Sequence, residues 1–217
     1  MQITIALRAM WHALVAPWRV SEANEARPVA LFAVAVLFVA VLATTMTLAE
    51  MGNVPQQHVE GNVDLSSPQR HVTAALGFLL MITTVQILSL SGLFLVLCRF
   101  LTDESYTFGR TLIAVSAASV IKVIGIGVDT ILHVVFHTTR AGMNAGVLVD
   151  PASHPILYPV LVQVDLFDCW RYIVIGIALT TGAGLHHRFG YVVGLIVWIV
   201  AVLLLAGAAL VNGILTL

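Results

Sequence analysis

The chain has 217 residues, 59% of them hydrophobic and 10% charged, with ten basic residues against eleven acidic ones. An average soluble domain carries about 25% charge, so this composition excludes a soluble enzyme domain and a disordered tail. The balance of charge leaves no basic surface to neutralise phosphates, which excludes a nucleic-acid binder. What remains is an all-α, polytopic membrane protein.

Residues 1–27 form an amphipathic N-terminal segment rather than a span. Ile3, Leu7, Met10, Trp11, Leu14, Val15 and Trp18 recur at helical spacing, opposed by Arg8, His12 and Arg19. A short helix with two tryptophans and a basic face is suited to the headgroup plane. Packing on one end of the bundle is the alternative. Pro17 ends or bends the helix. No small-residue cleavage site follows a short apolar run, so no cleaved leader is expected.

Residues 28–217 form the transmembrane domain. A bilayer core about 30 Å thick needs about 20 mostly apolar residues in a helix. Five segments meet this requirement: 29–49, 72–98, 111–136, 160–185 and 190–216. Pro28 sits at the first turn of the first, where its missing N–H costs nothing. The fourth is the least apolar, because Asp165, Asp168 and Arg171 lie in it. The result is a five-transmembrane-helix bundle with an N-terminal interfacial helix and termini on opposite sides.

Cytoplasmic loops are enriched in Lys and Arg. With the N-terminus cytoplasmic, Arg8, Arg19, Arg27, Arg99, Arg110 and Arg188 fall inside, and Arg70 and Arg140 outside. That asymmetry predicts a cytoplasmic N-terminus and an external C-terminus. The outer loops, 50–71 and 137–159, are the longer ones and contain the turn-forming runs Met51-Gly52-Asn53 and Asp150-Pro151-Ala152-Ser153.

Ionisable groups inside a span cost at least about 2.5–3.5 kcal/mol each, which makes them functional candidates. At about 100° per residue, Asp129, His133, His137, Lys122 and Ser119 fall on one stripe of the third span. Asp129, His133 and His137 occupy its outer third, level with Asp165 and Asp168 at the start of the fourth span. Glu50 closes the first span at the same level, and His58 and Glu60 follow it. Neighbours four apart on a helix can share one ion. Two imidazoles with carboxylates suit Zn²⁺ or another imidazole-accepting divalent ion.

The candidate metal ligands are therefore Asp129, His133, His137, Asp165 and Asp168. Glu50 lines the entrance, and Lys122 and Arg171 act as supporting charges. The full i to i+8 reach is about 12 Å, so one ion takes a pair from the stripe and a ligand from the fourth span. Lys122, about 10 Å below Asp129, is too deep to meet it and pairs elsewhere or snorkels. Three functions follow from the cluster: binding or transport of a divalent cation, extended to proton coupling; a purely structural polar network, in which Asp168 and Arg171 form an ion pair; or an intramembrane metal-dependent enzyme. The sequence has no His-Glu-x-x-His, Gly-x-Ser-x-Gly or phosphate-binding loop motif. Gly125 and Gly127, and Gly207 with Ala208 and Ala209, suit close helix packing or a homo-oligomer seam. Cys98 and Cys169 read as packed thiols.

The run Val164-Asp165-Leu166-Phe167-Asp168-Cys169-Trp170, followed by Ile175-Gly176-Ile177-Ala178-Leu179, resembles the Yip-type (Ypt/Rab-interacting protein) membrane domain. Trp11 to Pro17 resembles that family's amphipathic start, and Phe108 to Ser119 resembles its third span. The resemblance implies a five-helix bundle in a bacterial inner membrane, its partner the lipid bilayer. Eukaryotic relatives work with small GTPases in vesicle traffic, and bacterial-looking segments imply no such partner. Asp168, Arg171 and the Asp129/His133/His137 stripe depart from the apolar residues expected there.

Overall fold

The computed structural model describes residues 2–20, 28–53, 68–101, 106–138 and 140–215. Side chains at positions 2, 3, 42, 44–53, 68–75 and 212–215 are outside that description. The fold is all-helical. Its helices are α1 (Gln2–Val15), α2 (Pro28–Asn53), α3 (Pro68–Leu101), α4 (Phe108–Phe136), α5 (Leu157–Val162), α6 (Leu166–Gly182) and α7 (His187–Leu215), with a 3-10 turn at Ala145–Leu148. Over the described residues four of the five apolar segments lie within single helices, and the fourth, 160–185, is divided between α5 and α6. Among the described residues three helices are long and apolar enough to cross a membrane: Leu76–Leu101, Phe108–Phe136 and His187–Val211. In α2 the described apolar stretch is Pro28–Val41, and α6 has 17 residues.

The central helix is α4, which packs against α1, α2, α3 and α6. Every residue from Thr111 to Ser119 is buried, and the residue types explain why. Ala114, Ala117, Ala118, Ser116 and Ser119 present little volume, so neighbouring helices approach on all sides. Around them Phe94, Leu31, Ile121, Ile175 and Val115 fill the core.

On the far side, α6 and α7 meet through glycine. A Cβ on Gly176 would sit 2.3 Å from the Gly190 carbonyl oxygen, and one on Gly194 would sit 2.5 Å from the Cα of Ile173. Gly190 and Gly194 form a Gly-x-x-x-Gly pair, the spacing that lets two helix backbones touch. The turn between them follows from Gly184, whose φ of +74° is left-handed. Leu185 N–H donates to Thr180 O at 2.9 Å and Gly184 N–H to Thr181 O at 3.0 Å, a Schellman ending. Around Gly207, by contrast, there is open space.

Helix α1 docks on the bundle by a different face from the one its large residues suggest. Ala6, Ala9, Met10 and Ala13 are buried, whereas Leu7, Trp11, Val15 and Trp18 are exposed. The alanine ridge allows close packing on α4 and α2, and the bulky residues point away from it. Helix α1 ends at Val15, before Pro17, as expected.

At the same end Tyr106 is a buried anchor. Its hydroxyl donates to Leu179 O on α6. Its carbonyl accepts from Arg99 of α3 at 3.3 Å, and Arg110 of α4 lies over its ring. One residue thereby ties three helices together.

Candidate functional site

The polar residues gather at the opposite end of α4, beneath the loop of residues 137–165. They form two layers. The upper layer is a clasp. Asp129 lies seven residues before the end of α4, about 10 Å along its axis, and its Oδ1 accepts from Met143 N–H at 2.8 Å. The loop therefore folds back along the last two turns of α4. Gly142 permits this approach, since a Cβ there would lie 2.9 Å from Asn144 Nδ2 and 3.3 Å from Asp129 Oδ1.

Next to it, Asn144 pairs with Asp165 in an isolated antiparallel bridge. Ala145 N–H donates to Val164 O at 2.9 Å and Leu166 N–H to Met143 O at 3.1 Å. Asp165 has extended backbone and caps α6, its Oδ1 accepting from Asp168 N–H at 2.8 Å. This cap satisfies an orphan N–H of the first helical turn.

The bridge and the cap also interrupt the segment expected to run unbroken over 160–185. The helix stops at Val162 and restarts at Leu166. Asp165 is therefore a cap between two helices, not a residue on one helical face.

The lower layer is a charge triad. Lys122 Nζ lies 3.7 Å from Asp168 Oδ2, and Arg171 lies 3.2 Å from Asp168 Oδ1. Gly125 brings the two helices close enough for this, because Phe167 lies directly over it; an added Cβ would be 2.8 Å from that of Phe167. Arg171 is 3% exposed and also rests on the Tyr172 ring. Lys122 and Asp168 keep about 30% of their side chains open. The expected Asp168–Arg171 ion pair is present, and Lys122 pairs away from Asp129.

The histidines do not share the stripe as expected. His133 remains on α4, one turn beyond Asp129, but α4 ends at Phe136. His137 takes a left-handed conformation with φ 49° as the helix cap, and its side chain is exposed. An i, i+4, i+8 alignment needs continuous helix through residue 137, and the left-handed turn removes it. Glu50 lies near the end of α2, with its side chain outside the description, and His58 and Glu60 lie outside the described residues altogether. Among the described residues no group of three or more His, Cys, Asp or Glu side chains is arranged to hold one metal ion.

Sequence reasoning missed Met143 and Asn144, which contribute backbone and turn geometry rather than charge. The Asn144 side chain accepts from Gly146 N–H at 3.0 Å, and Gly142-x-Asn144-x-Gly146 is the turn-rich run that marks this fold-back in retrospect. Above the clasp, Asp150 organises the outer part of the loop. It accepts from Ser153 Oγ at 2.8 Å and Ser153 N–H at 3.2 Å, and pairs with Arg140 at 2.8 Å. These donors, the Ser153 hydroxyl foremost, hold its carboxyl below the ordinary carboxylate range.

Compared with known protein families, curated proteins and solved structures, the chain finds no match.

Proposed function

We propose that the chain is a non-catalytic, organising protein of a bacterial inner membrane: a five-span bundle with a cytoplasmic N-terminus, an external C-terminus and a structural polar cluster. The reading joins the resemblance to Yip-type domains with one observation from the site. Each carboxylate of the cluster is engaged by the chain itself: Asp129 by Met143 N–H, Asp165 by Asp168 N–H, and Asp168 by Lys122 and Arg171. Such groups act as fasteners, fixing the loop and the start of α6 onto α4. Contact with lipid and partner proteins then falls to the periphery, where α1 offers Leu7, Trp11 and Val15 with Arg8 exposed beside them, and the turn that follows offers Trp18 and Arg19. Tryptophan and arginine on one short helix suit a headgroup boundary.

The test is thermal unfolding and metal content of purified wild type and Asp129→Ala. A hydrogen bond to a charged group is worth about 1.5–3 kcal/mol, and each kcal/mol shifts Tm by roughly 2–4 °C at this chain length. Asp129→Ala therefore melts several degrees lower, and added Zn²⁺ stabilises neither protein. About one transition metal per wild-type chain, lost in the variant, overturns the proposal.

A second reading keeps the cation. Asp129 and Asp165 flank the same loop segment, Met143-Asn144, with His133 one turn along α4. That supports divalent-cation binding or transport, zinc first, with proton coupling as its extension. In liposomes this reading requires ion-dependent flux that Asp129→Asn abolishes.

A further inference from the structure

We propose that the α1 end of the bundle selects anionic phospholipid headgroups, through the arginines beside the outward face of α1. The inference rests on the reading that α1 lies at the bilayer surface, and adds the chemistry of the lipid it takes there. It holds whether the polar cluster at the other end is structural or binds a cation.

Helix α1 has two faces with different tasks. Ala6, Ala9, Met10 and Ala13 are buried against the bundle, which fixes where the rest of the helix points. Counted from Leu7 at about 100° per residue, Trp11 and Val15 follow at about 40° and 80°, and Arg8 and His12 at about 100° and 140°. The outward arc therefore has an apolar half, Leu7, Trp11 and Val15, and a basic half beside it. Trp11 is 61% exposed, a large ring that the chain itself leaves uncovered. In the turn that follows, buried Val20 is the anchor, and Trp18 and Arg19 stay exposed. An apolar stripe flanked by arginine fits the acyl boundary, where the guanidinium reaches up to the phosphates.

The two ends of the bundle differ in how their cations are matched. At the loop end Arg140 has Asp150, and Lys122 and Arg171 share Asp168. At the α1 end Arg8, Arg19, Arg99, Arg110 and Arg188 are all exposed. Among the described residues none of these five forms an ion pair with a carboxylate. Arg99 bonds the Tyr106 carbonyl and Arg110 lies over the Tyr106 ring, so one residue holds both guanidiniums at this end. The imbalance persists when the segments outside the description are counted by sequence. Residues 1–27, 99–110 and 186–189 contain six arginines against Glu22, Glu25, Asp103 and Glu104, a net of +2, and the rest of the chain carries −3.

Charge decides the occupant. A second copy meeting this face about a two-fold axis would bring the same positive surface against itself. The phosphate of phosphatidylcholine is already matched by its own ammonium. An anionic headgroup offers an unmatched phosphate that a guanidinium takes through two N–H donors, while its acyl chains cover Leu7, Trp11 and Val15.

The test reconstitutes the full chain in phosphatidylcholine vesicles holding brominated phosphatidylglycerol or brominated phosphatidylcholine, and reads tryptophan quenching. The α1 signal is the part lost in Trp11→Phe/Trp18→Phe, because Trp170 and Trp198 lie elsewhere in the fold. Brominated phosphatidylglycerol should quench that signal at a lower mole fraction than brominated phosphatidylcholine. The preference should shrink in about 1 M salt, where the screening length falls to about 3 Å. An arginine near an anionic surface is worth about a fivefold preference, so Arg8→Gln and Arg19→Gln should each lower it by up to about that factor. The double variant should lower it further, and Arg8→Lys should keep most of it. Both arginines are exposed, so these variants leave the packed core untouched. Equal quenching by the two lipids, or a preference unchanged in the double variant, overturns the anionic selection and leaves α1 at the bilayer. Quenching by neither lipid means that protein covers α1, a second copy where native mass spectrometry finds a dimer, and overturns the surface reading as well.

Discussion

Substituting Gly194 with alanine tests the reasoning about how the bundle closes. The added Cβ would lie 2.5 Å from Ile173 Cα, 2.5 Å from the Tyr172 carbonyl oxygen and 2.9 Å from Ile173 N. Ordinary carbon contacts fall at about 3.5–4.0 Å, so α7 must retreat from α6 by about 1 Å. The opposing atoms are backbone and have no rotamer to change. Overpacking costs about 1–3 kcal/mol, and a backbone wall puts this site at the upper end. Alanine also gains about 1 kcal/mol over glycine in helix propensity. The net loss is about 1–2 kcal/mol. Gly207→Ala on the same helix is the control: nothing lies within 4 Å of its Cβ position, so only the propensity gain remains. In thermal melts of the purified protein, Gly194→Ala should fall below wild type and Gly207→Ala should match or exceed it. If Gly194→Ala proves as stable as Gly207→Ala, the backbone-contact argument fails.

Asp168→Asn tests the triad. It leaves Lys122 and the buried Arg171 without a counter-charge, and stranding a buried ion costs about 3–5 kcal/mol. The exposed share of Lys122 reduces its part, so the lower figure is expected in a melt. A variant within 1 kcal/mol of wild type would show that the pair contributes little. In the loop, the depressed Asp150 carboxyl implies stability that is present above the pKa of an unfolded aspartate and lost as pH falls through the lower folded value. Carboxyl-carbon NMR should show Ser153→Ala raising this pKa more than Arg140→Gln, because the hydroxyl is the larger cause. The reverse order refutes the assignment.

The helices were readable because burial in a bilayer demands long apolar runs, and such runs survive without any knowledge of neighbours. The Asp168–Arg171 pair was readable because it acts within one helical turn, and Gly125 because a small residue in an apolar helix marks close helix packing. Three features were not. The α1 docking face follows from how closely alanine lets backbones approach, whereas hydrophobic periodicity weights Leu7 and Trp11 above Ala6 and Ala13. The break at Gln163–Asp165 depends on Asn144, 21 residues away in sequence, bridging to Asp165. The left-handed turn at His137 is chosen by the chain's path back to Asp129. In each case tertiary contact overrode a local pattern.

That override changes what the charged residues mean. Read as one stripe, Asp129, His133 and His137 form a ligand set; divided by the fold, they serve different ends. Asp129 and Asp165 each accept a backbone N–H, which places their charge beside peptide donors at turns. Lys122, Asp168 and Arg171 form a separate layer held by the close approach of Phe167 to Gly125. Within that lower layer Asp168 is shared between Lys122 and Arg171, so its carboxylate is engaged by the chain's own cations and the list of aspartates and histidines no longer reads as one ligand set.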